Sequence, residues 1–113
     1  MQKQRKHFNK KALLKNIGKD DNFIKMLLEI YFVSFETFMD TIKKAIENDD
    51  KELFKRTIHS IKGSSGTIYF EIMTDLFEEL SNVEINNKNR IIDLIIDIEK
   101  EYYYIRKNIY IFV

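Results

Sequence analysis

The stretch that decides the fold is Asp20–Glu47, DDNFIKMLLEIYFVSFETFMDTIKKAIE. Its apolar residues Ile24, Leu27, Leu28, Tyr31, Phe35, Phe38, Ile42, Ala45 and Ile46 recur every three or four positions, which is the period of one face of an α-helix. The pattern runs for about six turns without a glycine or proline. Asp20 or Asp21 supplies an N-cap carboxylate at its start. A helix this long with one apolar stripe must find partners of the same kind to bury that stripe.

The flanking sequence supplies them. Upstream, Phe8, Ala12, Leu13 and Ile17 stand near helical spacing before Gly18, and predict a short helix that ends there. Downstream, Asp49 or Asp50 can cap a third segment with Leu53, Phe54, Ile58, Ile61 and Ile68 on its apolar side. A fourth segment, from about Glu71 to Glu84, carries Met73, Leu76, Phe77, Leu80 and Val83. After the turn at Asn86 to Asn89 the last helix carries Ile91, Leu94, Ile95, Ile98, Tyr102, Ile105, Ile109 and Phe112. Connections of only a few residues make antiparallel neighbours, so the expected architecture is all-α: an antiparallel up-down-up-down four-helix bundle with a short N-terminal helix. The two longest helices are expected to project beyond the others or to cover the N-terminal piece.

Composition agrees and narrows the function classes. The 113 residues suit one domain, expected over 1–113, which buries roughly two-thirds of its unfolded surface. No proline and only three glycines leave too little turn punctuation for many short strands. No cysteine excludes disulfides, thiolate metal sites and cysteine nucleophiles. The apolar runs are too short for a membrane span or a signal segment, so the expectation is a soluble, cytoplasmic protein with no membrane partner. Net charge is +1, yet Lys3, Arg5, Lys6, Lys10, Lys11, Lys15 and Lys19 precede any acid, leaving 12 basic against all 18 acidic residues for the rest. Without aromatic interleaving this basic start is expected to be a solvated arm, flexible over residues 1–7, and not a nucleic-acid contact.

On a helical wheel with Leu53 at zero, the apolar residues of the third segment fall between about 0° and 140°, and His59 falls at about 240°. Its imidazole faces solvent, on the side that also holds Glu52, Lys55, Lys62, Gly63 and Gly66. Each glycine costs a helix interior about 1 kcal/mol relative to alanine, and here both strip side chains from the surface beside the imidazole. Lys62, three residues on, places an ammonium on the same face. An accessible imidazole, a nearby cation and cleared space are what phosphoryl transfer to a histidine needs. From spacing alone a second reading stands beside this one: an incidental surface histidine, with Gly-Ser-Ser-Gly simply ending the helix. The apolar stripe continuing through Ile61, Ser65 and Ile68 favours a helix that passes through.

The run His59-Ser60-Ile61-Lys62-Gly63-Ser64-Ser65-Gly66, after Arg56-Thr57-Ile58 and before a helix with Leu76 and Leu80, resembles the signature of histidine-containing phosphotransfer (HPt) domains. The resemblance covers nearly the whole chain and implies a four-helix bundle. It implies that His59 is the phosphoacceptor, that Lys62 stabilises the phosphoryl charge, and that Gly63, with Gly66 and Lys55 around it, receives a receiver domain. By the same resemblance the chain is a phosphorelay intermediate of two-component signalling. Its partners would be response-regulator receivers, in association with a hybrid sensor histidine kinase. It would hold no cofactor of its own, the Mg²⁺ being expected on the receiver. Two positions depart from the family pattern: Tyr69 where a glycine is frequent in the following turn, and Ser81 where an acid often follows the leucine matched by Leu80. Both bear on the shape of the turn between the third and fourth helices and on which receiver fits.

Other residues point to less. His7 has no carboxylate at a ligand-like spacing, and two histidines without cysteine are too few for a protein-only zinc site. Glu78, Glu79, Glu84, Asp93 and Asp97 read as solvated helix faces. No Gly-rich nucleotide loop is present, so no ATP-dependent kinase activity is expected. Most aromatics are expected in the core, with a subset near Tyr103 and Ile109 to Val113 as a candidate partner or self-association patch. The competing class is a non-catalytic helical interaction module that uses this tail or the basic arm.

Overall fold

The computed structural model describes residues 4–112, with side chains through 109. Five helices follow one another: α1 Lys10–Ile17, α2 Asp21–Glu47, α3 Lys51–Thr67, α4 Glu71–Ser81 and α5 Lys88–Phe112. No strand occurs among the described residues. α2 packs on α3, α3 on α4 and α4 on α5, making the four-helix bundle, with α1 the short N-terminal helix.

The starts of the helices follow from short polar side chains. The Asn9 side-chain carbonyl accepts from Ala12 N–H, Asp20 from Phe23 N–H and Asp50 from Leu53 N–H, each at 3.1 Å, satisfying one of the unpaired first-turn donors. Phe70 stands at the cap position before α4 and makes no side-chain capping bond. There the Lys6 carbonyl accepts from Ile72 N–H at 3.0 Å, and Glu71 accepts the Lys6 N–H at 3.0 Å. A backbone segment 65 residues away in sequence thus caps the helix.

The ends of α2 and α3 share one device. Asp50 N–H bonds Ala45 O and Asp49 N–H bonds Ile46 O, with Asp49 at φ 53°. Likewise Phe70 N–H bonds Ser65 O and Tyr69 N–H bonds Gly66 O, with Tyr69 at φ 63°. Both are Schellman turns, which usually place glycine at the left-handed position. The turn geometry is therefore kept with Tyr69 in it. Fully buried Phe70 then drops into the core one residue later.

The core runs through Phe54, Ile58 and Ile61 of α3, Met73, Phe77 and Leu80 of α4, and Ile91, Leu94, Ile98 and Ile105 of α5, against Ile24, Leu28, Phe35 and Ile42 of α2. Burying each such side chain is worth about 1.5–3 kcal/mol. α5 closes onto α2 through aromatics: the Tyr102 ring stacks on Phe35 at 3.8 Å and 8°, and its hydroxyl donates to the Phe32 carbonyl at 3.2 Å. Ser81 is half-buried at the end of α4, its hydroxyl donating to the Glu78 carbonyl at 2.6 Å.

The flexible arm expected over residues 1–7 is corrected in its described part. Arg5 pairs with Asp75 at 2.9 Å, Lys6 caps α4, and His7 Nδ1 lies 2.7 and 2.9 Å from the two carboxylate oxygens of Glu101. Phe8 is buried with its ring 5.4 Å from Phe70. The physical cause is that α4 lacks its own cap and α5 buries a carboxylate, and this segment satisfies both. Residues 1–3 lie outside the described residues. So do residue 113 and the side chains of 110–112 in the tail named for self-association; within it, Ile109 is buried.

Candidate functional site

α3 runs unbroken through Gly63-Ser64-Ser65-Gly66 to Thr67. The hydroxyls of Ser60, Ser64, Ser65 and Thr67 each donate to the carbonyl four residues back, at 2.8–3.2 Å, so side chains that favour turns elsewhere bond within the helix here. Ser65 is fully buried and pairs with the Tyr31 hydroxyl at 2.7 Å, which pins this polar turn to α2. Burial pushes the Tyr31 hydroxyl's pKa up, partly offset by the Ser65 bond, so it stays a neutral group.

His59 stands on the outward face, exposed, and its ring makes no hydrogen bond or ion pair with any described residue. A groove of about 480 Å³ between α2 and α3 is lined by His59, Ser60, Gly63, Ser64 and Thr67 on one side and by Leu27, Ile30, Tyr31 and Ser34 on the other. A Cβ at Gly63 would meet nothing within 4 Å, so the missing side chain leaves open surface one turn from the imidazole. The outer face of α2 beside this groove is apolar: Met26, Ile30 and Val33 are 49%, 56% and 66% exposed.

The structure brings Gly63 together with His59 and sets two other expected residues apart. Gly66 lines a second recess toward α4, with Arg5, Tyr69, Glu71 and Thr74, and a Cβ there would sit 3.9 Å from the Thr74 side chain. Lys62 also leans toward α4: its Nζ lies 2.6 Å from Glu78 Oε2. The hydrogen bond and charge of Lys62 hold the Glu78 carboxyl below the usual carboxylate range. Lys55, one turn before His59, is exposed and free of any hydrogen bond or ion pair to a described residue.

Sequence reading missed Glu78, taken as a solvated face, and the tertiary role of His7. Each partner lies far off in the chain, 16 residues for Lys62–Glu78 and 94 for His7–Glu101, so no local spacing could have shown either.

The family model described as Hpt domain matches residues 26–106, which spans α2 from its second turn to the last turns of α5 and contains His59 to Gly66. The chain belongs to the Hpt domain family. Hpt domains act in the phosphorelays of two-component signalling, where they meet receiver domains and histidine kinases. Comparisons with curated proteins and with solved structures returned no match. In this Hpt domain no described helix is long and apolar enough to cross a membrane, and no three His, Cys, Asp or Glu side chains among the described residues are grouped to hold a metal ion.

Proposed function

We propose that His59 is the phosphoacceptor of this Hpt domain, taking a phosphoryl group from the aspartyl phosphate of one receiver and yielding it to another. The observation that carries the reading is the unengaged, exposed imidazole beside the open surface at Gly63, on a helix whose other face is locked into the core. The Nε2 lone pair attacks phosphorus in line, the P–O bond to the aspartate breaks, and the carboxylate leaves. The reverse step returns the group to a receiver aspartate. The Mg²⁺ comes with the receiver, and this chain contributes a positioned nucleophile and the Lys62 ammonium three residues on. Receiver docking uses the groove edge at His59 and Gly63 together with exposed Met26, Ile30 and Val33 of α2.

Incubation with a phosphorylated receiver and Mg²⁺ tests this. The expected result is an acid-labile, base-stable label on this chain that disappears in His59→Gln while the helical content and melting temperature stay unchanged. A chain that no receiver of a broad panel labels would instead be a binding module without transfer chemistry.

A further inference from the structure

We infer that Glu78 is a positioning residue that holds the Lys62 ammonium in reserve on α4, so that phosphoryl occupancy of His59 is set by two anions competing for one cation. The inference rests on the phosphoacceptor reading of His59 and adds the group that regulates its charge partner.

Lys62 and His59 are one helical turn apart, with Cβ atoms about 5–6 Å from each other, so a lysine side chain can reach a group on the ring. Without a phosphoryl group its ammonium is instead committed to Glu78 at 2.6 Å. This carboxylate stays ionised, since Lys62 itself favours the charged form. The arrangement is repeated one turn earlier on α4, where Asp75 takes the Arg5 guanidinium at 2.9 and 3.1 Å. α4 thus presents Asp75 and Glu78 along the edge of α3 that bears Lys62 and Gly66, and each of the two has claimed a cation.

A phosphoryl group on a side chain brings about −1.5 to −2 charge at neutral pH. With Lys62 neutralised by Glu78, that charge gains little until the ammonium changes partner. The exchange is easy because the pair is open to water, with side chains 29% and 55% exposed, and exposed pairs hold weakly. Phosphorylation therefore moves Lys62 from Glu78 to the phosphoryl oxygens, and the strength of the Glu78 pair subtracts from the stability of the phosphohistidine. Glu78→Gln keeps volume and an acceptor oxygen while removing the competing charge.

The test is the equilibrium partition of phosphoryl group between a receiver aspartate and His59, which is independent of how tightly the two proteins dock. It is measured for the full chain as wild type, Glu78→Gln, Lys62→Ala and the double variant, with His59→Gln as the blank. Glu78→Gln is expected to shift the partition toward this chain by roughly three- to five-fold. In the Lys62→Ala background the same change is expected to do nothing, the non-additivity that marks action through Lys62. An unchanged or lowered partition in Glu78→Gln overturns the inference, and so does a gain that persists without Lys62, which would be direct repulsion by Glu78. Both of those outcomes leave the phosphoacceptor reading standing. A wild type that carries no label at His59 overturns the reading and this inference with it.

Discussion

The chain has two histidines, and the fold gives them opposite surroundings. His7 lies against α5, with Nδ1 at 2.7 Å from buried Glu101 and its ring centroid 4.0 Å from that of Tyr104. His59 stands on α3 with open surface beside it and no described partner. One imidazole is a brace whose ring nitrogen is taken up by a carboxylate, and the other, the proposed phosphoacceptor, has no described partner. The difference lies in tertiary neighbours, since each histidine stands between one buried apolar residue, Phe8 or Ile58, and one polar residue, Lys6 or Ser60. Availability, more than residue type, separates a nucleophile from a structural histidine.

The comparison can be broken most severely at Gly63. Gln in its place puts a side chain on the open surface beside His59, and receiver-driven transfer is expected to fall on the order of tenfold or more, since small misplacements of reacting groups are costly. Labelling by a small donor such as phosphoramidate should be spared, and the melting temperature should rise slightly as a helix glycine is removed. Loss of labelling by the small donor as well would show that the change damaged His59 itself. At the other histidine, His7→Ala leaves the Glu101 carboxylate buried without its partner, which should cost about 1–3 kcal/mol in chemical denaturation with phosphoryl transfer intact. A variant equally stable to denaturant would mean that His7 braces nothing. Smallest of all is Arg5→Ala: its pair with Asp75 is about half exposed on each side and should contribute less than about 1 kcal/mol. The attachment of this segment then rests on His7, Phe8 and the Lys6 backbone.

The bundle was legible because its information is local. The spacing of Ile24 to Ile46 and of Ile91 to Ile109 marks buried faces, and Asp20 and Asp50 mark helix starts, whereas the Asn9 cap of α1 shows only in the structure. Phe32 and Met39 are buried although they fall outside the stripe assigned to α2. Tyr102 and Arg106 of α5 cover Phe32 from a second side, with the guanidinium 4.8 Å from its ring, so α2 is buried on more than one face. Phe70 and Ile85 are buried from connecting segments, where helical periodicity has no bearing. The end of the fourth segment was expected near Glu84, whereas α4 stops at Ser81 and Val83 packs in the turn. At the site, the outward direction of His59 and the cleared position at Gly63 followed from the wheel. The direction of Lys62 did not, because it depends on where α4 places Glu78, and neither did the left-handed Tyr69, which no glycine announced.

The most direct test of the central claim maps the phosphoryl group to one ring. After transfer from a phosphorylated receiver, ³¹P spectroscopy combined with long-range ¹H–¹⁵N correlation of both imidazoles identifies the modified nitrogen. The account predicts a single phosphoramidate on Nε2 of His59 with the His7 ring unchanged. A phosphoryl group on His7, on a carboxylate, or on both histidines alike would contradict it.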